Sequence, residues 1–135
     1  MNFQRSATVL LVSDVAVSAA FYQRYLGFDV GFDMGWFASL KHPSGATLDL
    51  WLRSHDTVPA FLRRPVGGVV LAFVVEDANA EAAKMAAAGL RIAKALTDNP
   101  WGQRNFVVED PDGVAIDIVQ PIPPSPEFLR EHGLA

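Results

Sequence analysis

The chain has 135 residues, half of them apolar, and contains no cysteine. A domain of this length buries roughly two-thirds of its extended surface, so it needs no disulfide or metal to fold. The absence of cysteine excludes thiol chemistry and cysteine-ligated metals. A net charge of −4, with no basic stripe beyond Arg63-Arg64, argues against nucleic-acid binding. No segment has the length of a membrane span and the first residues lack a cleavage-type ending, so we expect a cytoplasmic protein.

The first half of the chain predicts the order strand, helix, three strands. An apolar run over Ala7–Val12 is typical of a buried strand, and Ser13 or Asp14 provides the cap of a helix predicted over Val15–Leu26. Gly27 is the left-handed residue that ends this helix. The three strands that follow are predicted over Phe28–Met34, Trp36–Lys41 and Ala46–Leu52.

The second half repeats this order after a connector, Arg53–Gly68, which lacks either periodicity and has room for one helical turn. Asp77 is the predicted cap of a second helix, and Gly89 ends it. Asp110–Gly113 is a turn between the last two strands. The predicted elements are a strand over Val69–Val75, a helix over Ala78–Ala88, a strand over Leu90–Leu96, a loop over Thr97–Gly102, strands over Phe106–Val108 and Val114–Gln120, and a tail helix capped by Ser125.

The two halves share the placement of glycine and aspartate residues as well as the order of their elements. Gly45 and Asp49 lie 68 positions before Gly113 and Asp117, and this repeated spacing indicates an internal duplication. We therefore predict an α+β fold in which paired βαβββ modules form a curved mixed sheet around a cavity. One domain spans 1–124, with module 1 at about 7–52, the connector at 53–68 and module 2 at about 69–120, and a tail helix occupies 125–135.

Asp49 and Asp117 each lie in the middle of a predicted strand, on the face opposite the uniformly aliphatic one. The aliphatic faces are expected under the helices, so both carboxylates should line the cavity, where an unpaired charge is costly. Two explanations stay open. The acids contact a cationic or hydroxylated ligand or a weakly held metal, or they are satisfied by Thr47, Arg104 or water.

Three tryptophans and one arginine complete the set of candidate ligand-binding residues. Trp51 shares the face of Asp49, and Trp36 and Trp101 lie in or beside predicted strands near the cavity. Indole rings stack on planar or cationic ligands, and plain core packing is the alternative for Trp36 and for Trp51. Arg104 lies on a cavity-edge strand, where it either pairs with an acid or remains a surface arginine.

Five motifs between Val12 and Gly113 support a resemblance that covers about Ala7 to Gln120, nearly the whole chain. They are Val12-Ser13-Asp14 before Ser18-x-x-Phe21-Tyr22, Leu26-Gly27-Phe28, Val74-Val75-Glu76-Asp77, Trp101-Gly102-Gln103-Arg104 and Asp110-Pro111-Asp112-Gly113. With them the chain resembles the vicinal oxygen chelate (VOC) superfamily, which groups glyoxalase I, extradiol dioxygenases, fosfomycin resistance enzymes and the bleomycin resistance proteins. The resemblance implies the fold and leaves the chemistry open, because this fold hosts several reactions.

The resemblance places the metal ligands of the family's enzymes at Ala7, Asp49, Val70 and Asp117. Alanine and valine offer no lone pair, whereas catalytic zinc and iron sites use three protein donors. We therefore hypothesise a protein that binds a small aromatic or cationic compound with no metal or other cofactor and no catalytic residue, as bleomycin resistance proteins do, with antibiotic sequestration as its role. The alternative is a metal-dependent lyase, isomerase or dioxygenase that holds a divalent ion through the two aspartates. The resemblance also implies a homodimer, and we expect no nucleic-acid or membrane partner.

Overall fold

The computed structural model describes all residues, Met1–Ala135. The chain divides into two compact units: unit 1 comprises Met1–Gly68 together with Pro111–Gly113, and unit 2 comprises Val69–Asp110 together with Val114–Ala135. Each unit has one four-stranded sheet with a helix packed on it. These elements confirm the predicted α+β fold with two βαβββ sets.

The sheet of unit 1 has the strand order β1-β4-β3-β2, with β1 parallel to β4 and the other neighbours antiparallel. Its connector contains one short 3₁₀ turn, Ala60–Leu62, as the sequence allowed. Because β1 and β4 run parallel, their carboxyl ends lie side by side, and the Arg53 N–H donates to the Val12 carbonyl at 2.8 Å. The elements of unit 1 are β1 (Val9–Val12), α1 (Val15–Leu26), β2 (Asp29–Asp33), β3 (Phe37–Lys41) and β4 (Thr47–Leu52).

Local chemistry sets both ends of α1. The Asp14 side chain accepts from the Val17 N–H at 3.0 Å, which satisfies one of the free N–H groups at a helix start. Gly27 ends the helix with φ of 75°, a left-handed conformation that favours glycine. The buried face of α1 includes Tyr22 and packs on β3 and β4, where Leu50 is fully buried.

The sheet of unit 2 has the same plan, β5-β8-β7-β6, with β5 parallel to β8. Asp77 caps α2 by accepting from the Ala80 N–H at 3.0 Å, and Ser125 caps the tail helix by accepting from the Phe128 N–H at 3.1 Å. The elements of unit 2 are β5 (Val70–Val74), α2 (Ala78–Ala87), β6 (Lys94–Asn99), β7 (Gln103–Glu109), β8 (Ala115–Pro121) and α3 (Pro126–Glu131).

The sixth strand differs from its prediction. The sequence predicted a strand over Leu90–Leu96 and a loop over Thr97–Gly102, whereas β6 starts at Lys94 and continues to Asn99. The cause is pairing with β7, which recruits the polar residues Thr97, Asp98 and Asn99 into the ladder. Cross-strand partners outweigh the intrinsic strand preference of a segment.

The alternation of side chains follows the prediction in both sheets. In β4, Leu48 and Leu50 are buried while Asp49 and Trp51 are half-buried. In β8, Ile116 and Ile118 are buried and Asp117 is half-buried. Val119 is an exception to the alternation, because it is buried although it shares the face of Asp117. Each aspartate therefore lies on the sheet face that its helix does not cover. None of the helices combines the length and apolar composition required to cross a membrane.

Candidate functional site

The uncovered sheet face of unit 1 carries aromatic and apolar side chains around one carboxylate. Residues directly opposite each other on neighbouring strands share a face, and the register defines two adjacent rows. The first row is Val9, Asp49, Ser39 and Phe32, and the second is Leu11, Trp51 and Phe37. We call Phe32, Phe37, Asp49 and Trp51 the aromatic face; Phe32 is 52% exposed, so this face is open in unit 1.

Asp49 has no side-chain hydrogen bond and no ion pair. Its backbone N–H donates to the Thr8 carbonyl at 2.9 Å. Its cross-strand neighbours Val9 and Ser39 leave the carboxylate to solvent or a ligand. Thr47, one of the partners considered from the sequence, does not bond it. A half-buried carboxylate without a partner loses hydration without compensation. The aromatic face therefore contains one strong, unused acceptor.

Trp51 is held in a fixed orientation beside Asp49. Its indole N–H donates to Thr57 Oγ1 at 2.9 Å. The Thr57 backbone N–H donates to His55 Nδ1 at 3.2 Å, so this ring nitrogen is an acceptor and the Thr57 hydroxyl, 2.8 Å away, donates to it as well. The chain of bonds orients the indole before any ligand arrives, which lowers the entropy cost of binding.

Trp36 lies one residue before β3 and is not part of the aromatic face. Its ring stacks on His55 with centroids 4.0 Å apart and planes within 8°. The histidine thus links two tryptophans, since it stacks on Trp36 and bonds Thr57, the acceptor of the Trp51 N–H.

Asp117 in unit 2 has a partner, unlike Asp49. The Asn105 side-chain amide donates to Asp117 Oδ1 at 2.9 Å. The amide oxygen of Asn105 in turn accepts from Lys94 Nζ at 2.9 Å and from Asn99 Nδ2 at 3.0 Å. Asn105 therefore joins three strands through one side chain, and Asp117 is the terminal acceptor of this network.

Arg104 lies on the opposite face of its sheet from Asp117. It is paired directly with Gln120, whereas Asp117 is paired with Val107. The guanidinium donates to both carboxylate oxygens of Asp98 at 2.6 and 3.0 Å, and these hydrogen bonds hold the pKa of Asp98 below its usual range. The acid that Arg104 pairs with is thus Asp98.

Trp101 lies in the tight turn between β6 and β7 and is 54% exposed. Its indole N–H donates to Gln103 Oε1 at 2.9 Å. The ring is thus tied to its own hairpin in unit 2, and the rest of its surface is free for contact.

The residues present do not fit a metal centre with three protein ligands. The resemblance implies ligands at Ala7, Asp49, Val70 and Asp117, and the residues in direct register with the two aspartates are Val9 and Ala72. None of the side chains of Ala7, Val70, Val9 and Ala72 has a donor atom. No group of three or more histidine, cysteine, aspartate or glutamate side chains lies close enough to hold an ion.

Sequence reasoning missed two features of the structure. Asn105 was not identified as a site residue. It lies two residues before Val107 in β7 and so on the same face, and Val107 is the cross-strand partner of Asp117. The second feature is a pocket of unit 1 lined by Ser13, Arg53, Ser54 and Arg63. The predicted elements already indicated this location, since Ser13 and Arg53 each directly follow a strand.

Comparison with known proteins agrees with this architecture. Among solved structures, the virulence protein STM3117 from Salmonella typhimurium has a TM-score of 0.72 at 23% identity, over 90% of this chain and 100% of the other. A glyoxalase/bleomycin resistance protein/dioxygenase from Nocardioides has a TM-score of 0.71 at 24% identity, over 90% and 87%. A member of the same superfamily from Sphaerobacter thermophilus has a TM-score of 0.70 at 25% identity, over 84% and 94%.

No curated protein shows significant similarity to the chain. The family profile described as Glyoxalase/Bleomycin resistance protein/Dioxygenase superfamily matches residues 5–118, the region that carries both βαβββ sets. The resemblance drawn from the motifs is thereby confirmed: the chain belongs to the glyoxalase/bleomycin resistance protein/dioxygenase superfamily.

Proposed function

We propose that the chain binds a small compound with a positive charge on or beside an aromatic group, and that it does so on the aromatic face without a metal ion. The observation that carries this proposal is the carboxylate of Asp49, which is half-buried on the sheet face that also carries Phe32, Phe37 and Trp51 and has no partner in the protein. A cationic ligand would supply the missing partner and regain the energy lost when the carboxylate was partly desolvated.

The neighbouring side chains suit the same ligand. Trp51 and Phe37 are directly opposite each other on β4 and β3, one row from Asp49, and aromatic faces attract cations and stack on planar groups. A few fixed polar groups in a mainly apolar site are typical of small-molecule binding. Ligand contact by Asp117, Trp36, Trp101 and Arg104 stays a prediction, because these four residues lie outside the aromatic face.

Binding without a reaction is consistent with the missing donors. Sequestration needs only tight and reversible binding, so it does not require metal ligands at Ala7 and Val70. A cationic antibiotic is the ligand class we propose, in the manner of the bleomycin resistance branch of the superfamily.

Titration against a panel of cationic aromatic antibiotics and their neutral analogues tests the proposal, with calorimetry and tryptophan fluorescence as readouts. We expect at least one cationic member to bind, and Asp49→Asn to weaken it about tenfold or more, the effect of one charged hydrogen bond. Glu76→Gln is the matched control, because it removes an exposed carboxylate of unit 2. The proposal would be overturned if no compound of the panel bound, or if both variants lost affinity equally.

Elemental analysis tests the metal-free part separately. Protein purified without chelator is expected to contain no stoichiometric zinc, iron, nickel or manganese. A stoichiometric ion that is lost in Asp49→Ala would replace the binding proposal with the metal-dependent alternative.

We also propose that a second copy of the chain covers β5. This strand is an edge of its sheet, and its uncovered face carries Val70 and Val74, which is 73% exposed. Exposed apolar side chains on a strand edge are typical of association surfaces. Sedimentation analysis should show a dimer that Val74→Lys dissociates, while Val17→Lys on α1, also exposed, leaves the dimer intact. A monomeric wild-type protein would refute it.

A further inference from the structure

A pocket in unit 1 shares no residue with the aromatic face and is located at the carboxyl ends of two parallel strands. β1 ends at Val12 and β4 at Leu52, and these two residues are in register. The residues that follow them, Ser13 and Arg53, line the pocket together with Ser54 and Arg63, and its volume is about 340 Å³. Parallel strands commonly present ligands at this end, where a helix also begins.

Backbone carbonyls hold both arginines of the pocket in place. Arg63 donates from Nε to the Val58 carbonyl at 3.0 Å and from Nη2 to the Asp56 carbonyl at 3.4 Å. Arg53 donates from Nη2 to the Leu11 carbonyl at 3.5 Å and to Asp112 at 3.3 Å. Anchoring of this kind fixes a guanidinium and leaves its other donors for a ligand.

Donors remain unused on both side chains. Nη1 of Arg53 and Nη1 of Arg63 have no acceptor in the structure, and Nε of Arg53 is buried without a partner. A buried donor that lacks an acceptor destabilises the protein until it finds one. The hydroxyls of Ser13 and Ser54 add two further groups without a partner.

Both charged residues that line the pocket, Arg53 and Arg63, are positive. Asp112 offsets Arg53, and its carboxylate also accepts from the Ser13 N–H at 3.2 and 3.3 Å. Asp14 is the cap of α1, so one further negative charge lies at the helix start. Arg63 has no carboxylate partner, since it bonds only carbonyls.

From this geometry we propose that the pocket is a site for a small oxyanion, namely phosphate or the phosphate group of a small monoester. Paired guanidinium donors and hydroxyls are the groups that bind phosphate oxygens in proteins. The volume falls at the low end of small-molecule pockets and leaves room for a short organic group beside the phosphate. This site takes a ligand of opposite charge to the one proposed for the aromatic face, and the two can be tested independently.

The test is a titration of the isotope-labelled full chain with inorganic phosphate, followed through the amide signals of Ser13 and Ser54 and the Nε–H signal of Arg63. Sodium chloride at equal ionic strength is the salt control. We expect saturable shifts with phosphate at millimolar concentrations, none with chloride, and tighter binding of glycerol phosphate than of phosphate.

Variants decide whether the pocket residues bind the anion. Arg63→Gln and Ser54→Ala are chosen because both residues are exposed and fold stability does not depend on an ion pair there. Arg63→Gln should weaken phosphate binding about tenfold, and Ser54→Ala severalfold. Arg64→Gln is the matched control, since it removes the same charge from a residue that does not line the pocket. The absence of saturable shifts, or equal weakening by Arg63→Gln and Arg64→Gln, would overturn the proposal.

Discussion

Trp36 and His55 lie face to face, with ring centroids 4.0 Å apart and planes within 8°. This contact joins the start of β3 to the connector that follows β4. The same histidine bonds Thr57, which orients Trp51. His55 thus fixes the irregular connector against the sheet, and through Thr57 it also supports the geometry of the aromatic face.

We expect the Trp36–His55 stack to contribute about 1 kcal/mol to stability beyond the buried area of its rings. A double-mutant cycle with Trp36→Leu and His55→Ala, measured by chemical denaturation, isolates this coupling. His55→Phe is the control, because it keeps a ring for stacking and loses the bonds to Thr57. A coupling energy near zero would show that the rings touch without stabilising each other.

The Asp98–Arg104 pair predicts a defined pH response. Hydrogen bonds from Arg104 lower the pKa of Asp98 in the folded protein, so the folded state binds a proton at this site less readily than the unfolded chain does. The contribution of the pair is therefore present above the ordinary aspartate pKa and is lost as the pH falls through the lowered value. Carboxyl NMR titration should show Asp98 titrating below ordinary aspartates, and Arg104→Gln should return it to their range.

A second arginine provides the control for this experiment. Arg91 and Glu109 are 3.9 Å apart and both exposed, so Arg91→Gln removes an equal charge without touching Asp98. The assignment fails if Arg91→Gln raises the Asp98 pKa as much as Arg104→Gln does.

Asn105→Ala should destabilise the protein by about 1–3 kcal/mol. The substitution removes the donor to the half-buried Asp117 and the acceptor shared by Lys94 and Asn99. Urea denaturation at neutral pH measures the change. Asn79→Ala, which deletes one exposed 3.3 Å contact to Arg104, should stay within about 0.5 kcal/mol of wild type, and a loss of equal size there would contradict the central role of Asn105.

Two glycines in turns are predicted to respond differently to alanine. Gly102 has φ of +105°, and a Cβ there would lie 2.9 Å from the Ile122 carbonyl oxygen. Gly113 has φ of +79° with nothing within 4 Å of an added Cβ. Gly113→Ala should therefore cost about 1–2 kcal/mol for the left-handed backbone alone, and Gly102→Ala should cost more. Thermal denaturation of both variants compares them, and equal melting temperatures would rule out the steric contribution.

The parts of the fold that local chemistry controls were predictable from the sequence. Asp14 and Asp77 cap their helices and Gly27 ends α1, because capping depends on a few neighbouring residues. Side-chain alternation in β4 was equally predictable, since a strand buried on one face reveals its parity in the sequence. The family motifs then supplied the topology that these local rules leave open.

Contacts between distant residues were not predictable in this way. The extent of β6 depends on its pairing with β7, and the partner of Arg104 became clear only when Asp98 entered that ladder. The same limit applies to the candidate sites. Asp49 and Asp117 have similar sequence settings, and only the neighbouring strands decide that Asn105 bonds one and nothing bonds the other.

Asp112 joins the turn Pro111–Gly113 to unit 1, far from its neighbours in the sequence. The aspartate is separated by 59 positions from Arg53 and by 99 from Ser13, yet it supplies unit 1 with the carboxylate that both of them bond, and its side chain is only 6% exposed. A fragment that stopped at Gly68, where the first segment of unit 1 ends, would leave the Arg53 charge without its counter-ion. We therefore expect the first half of the chain to be less stable alone than it is with the turn that carries Asp112.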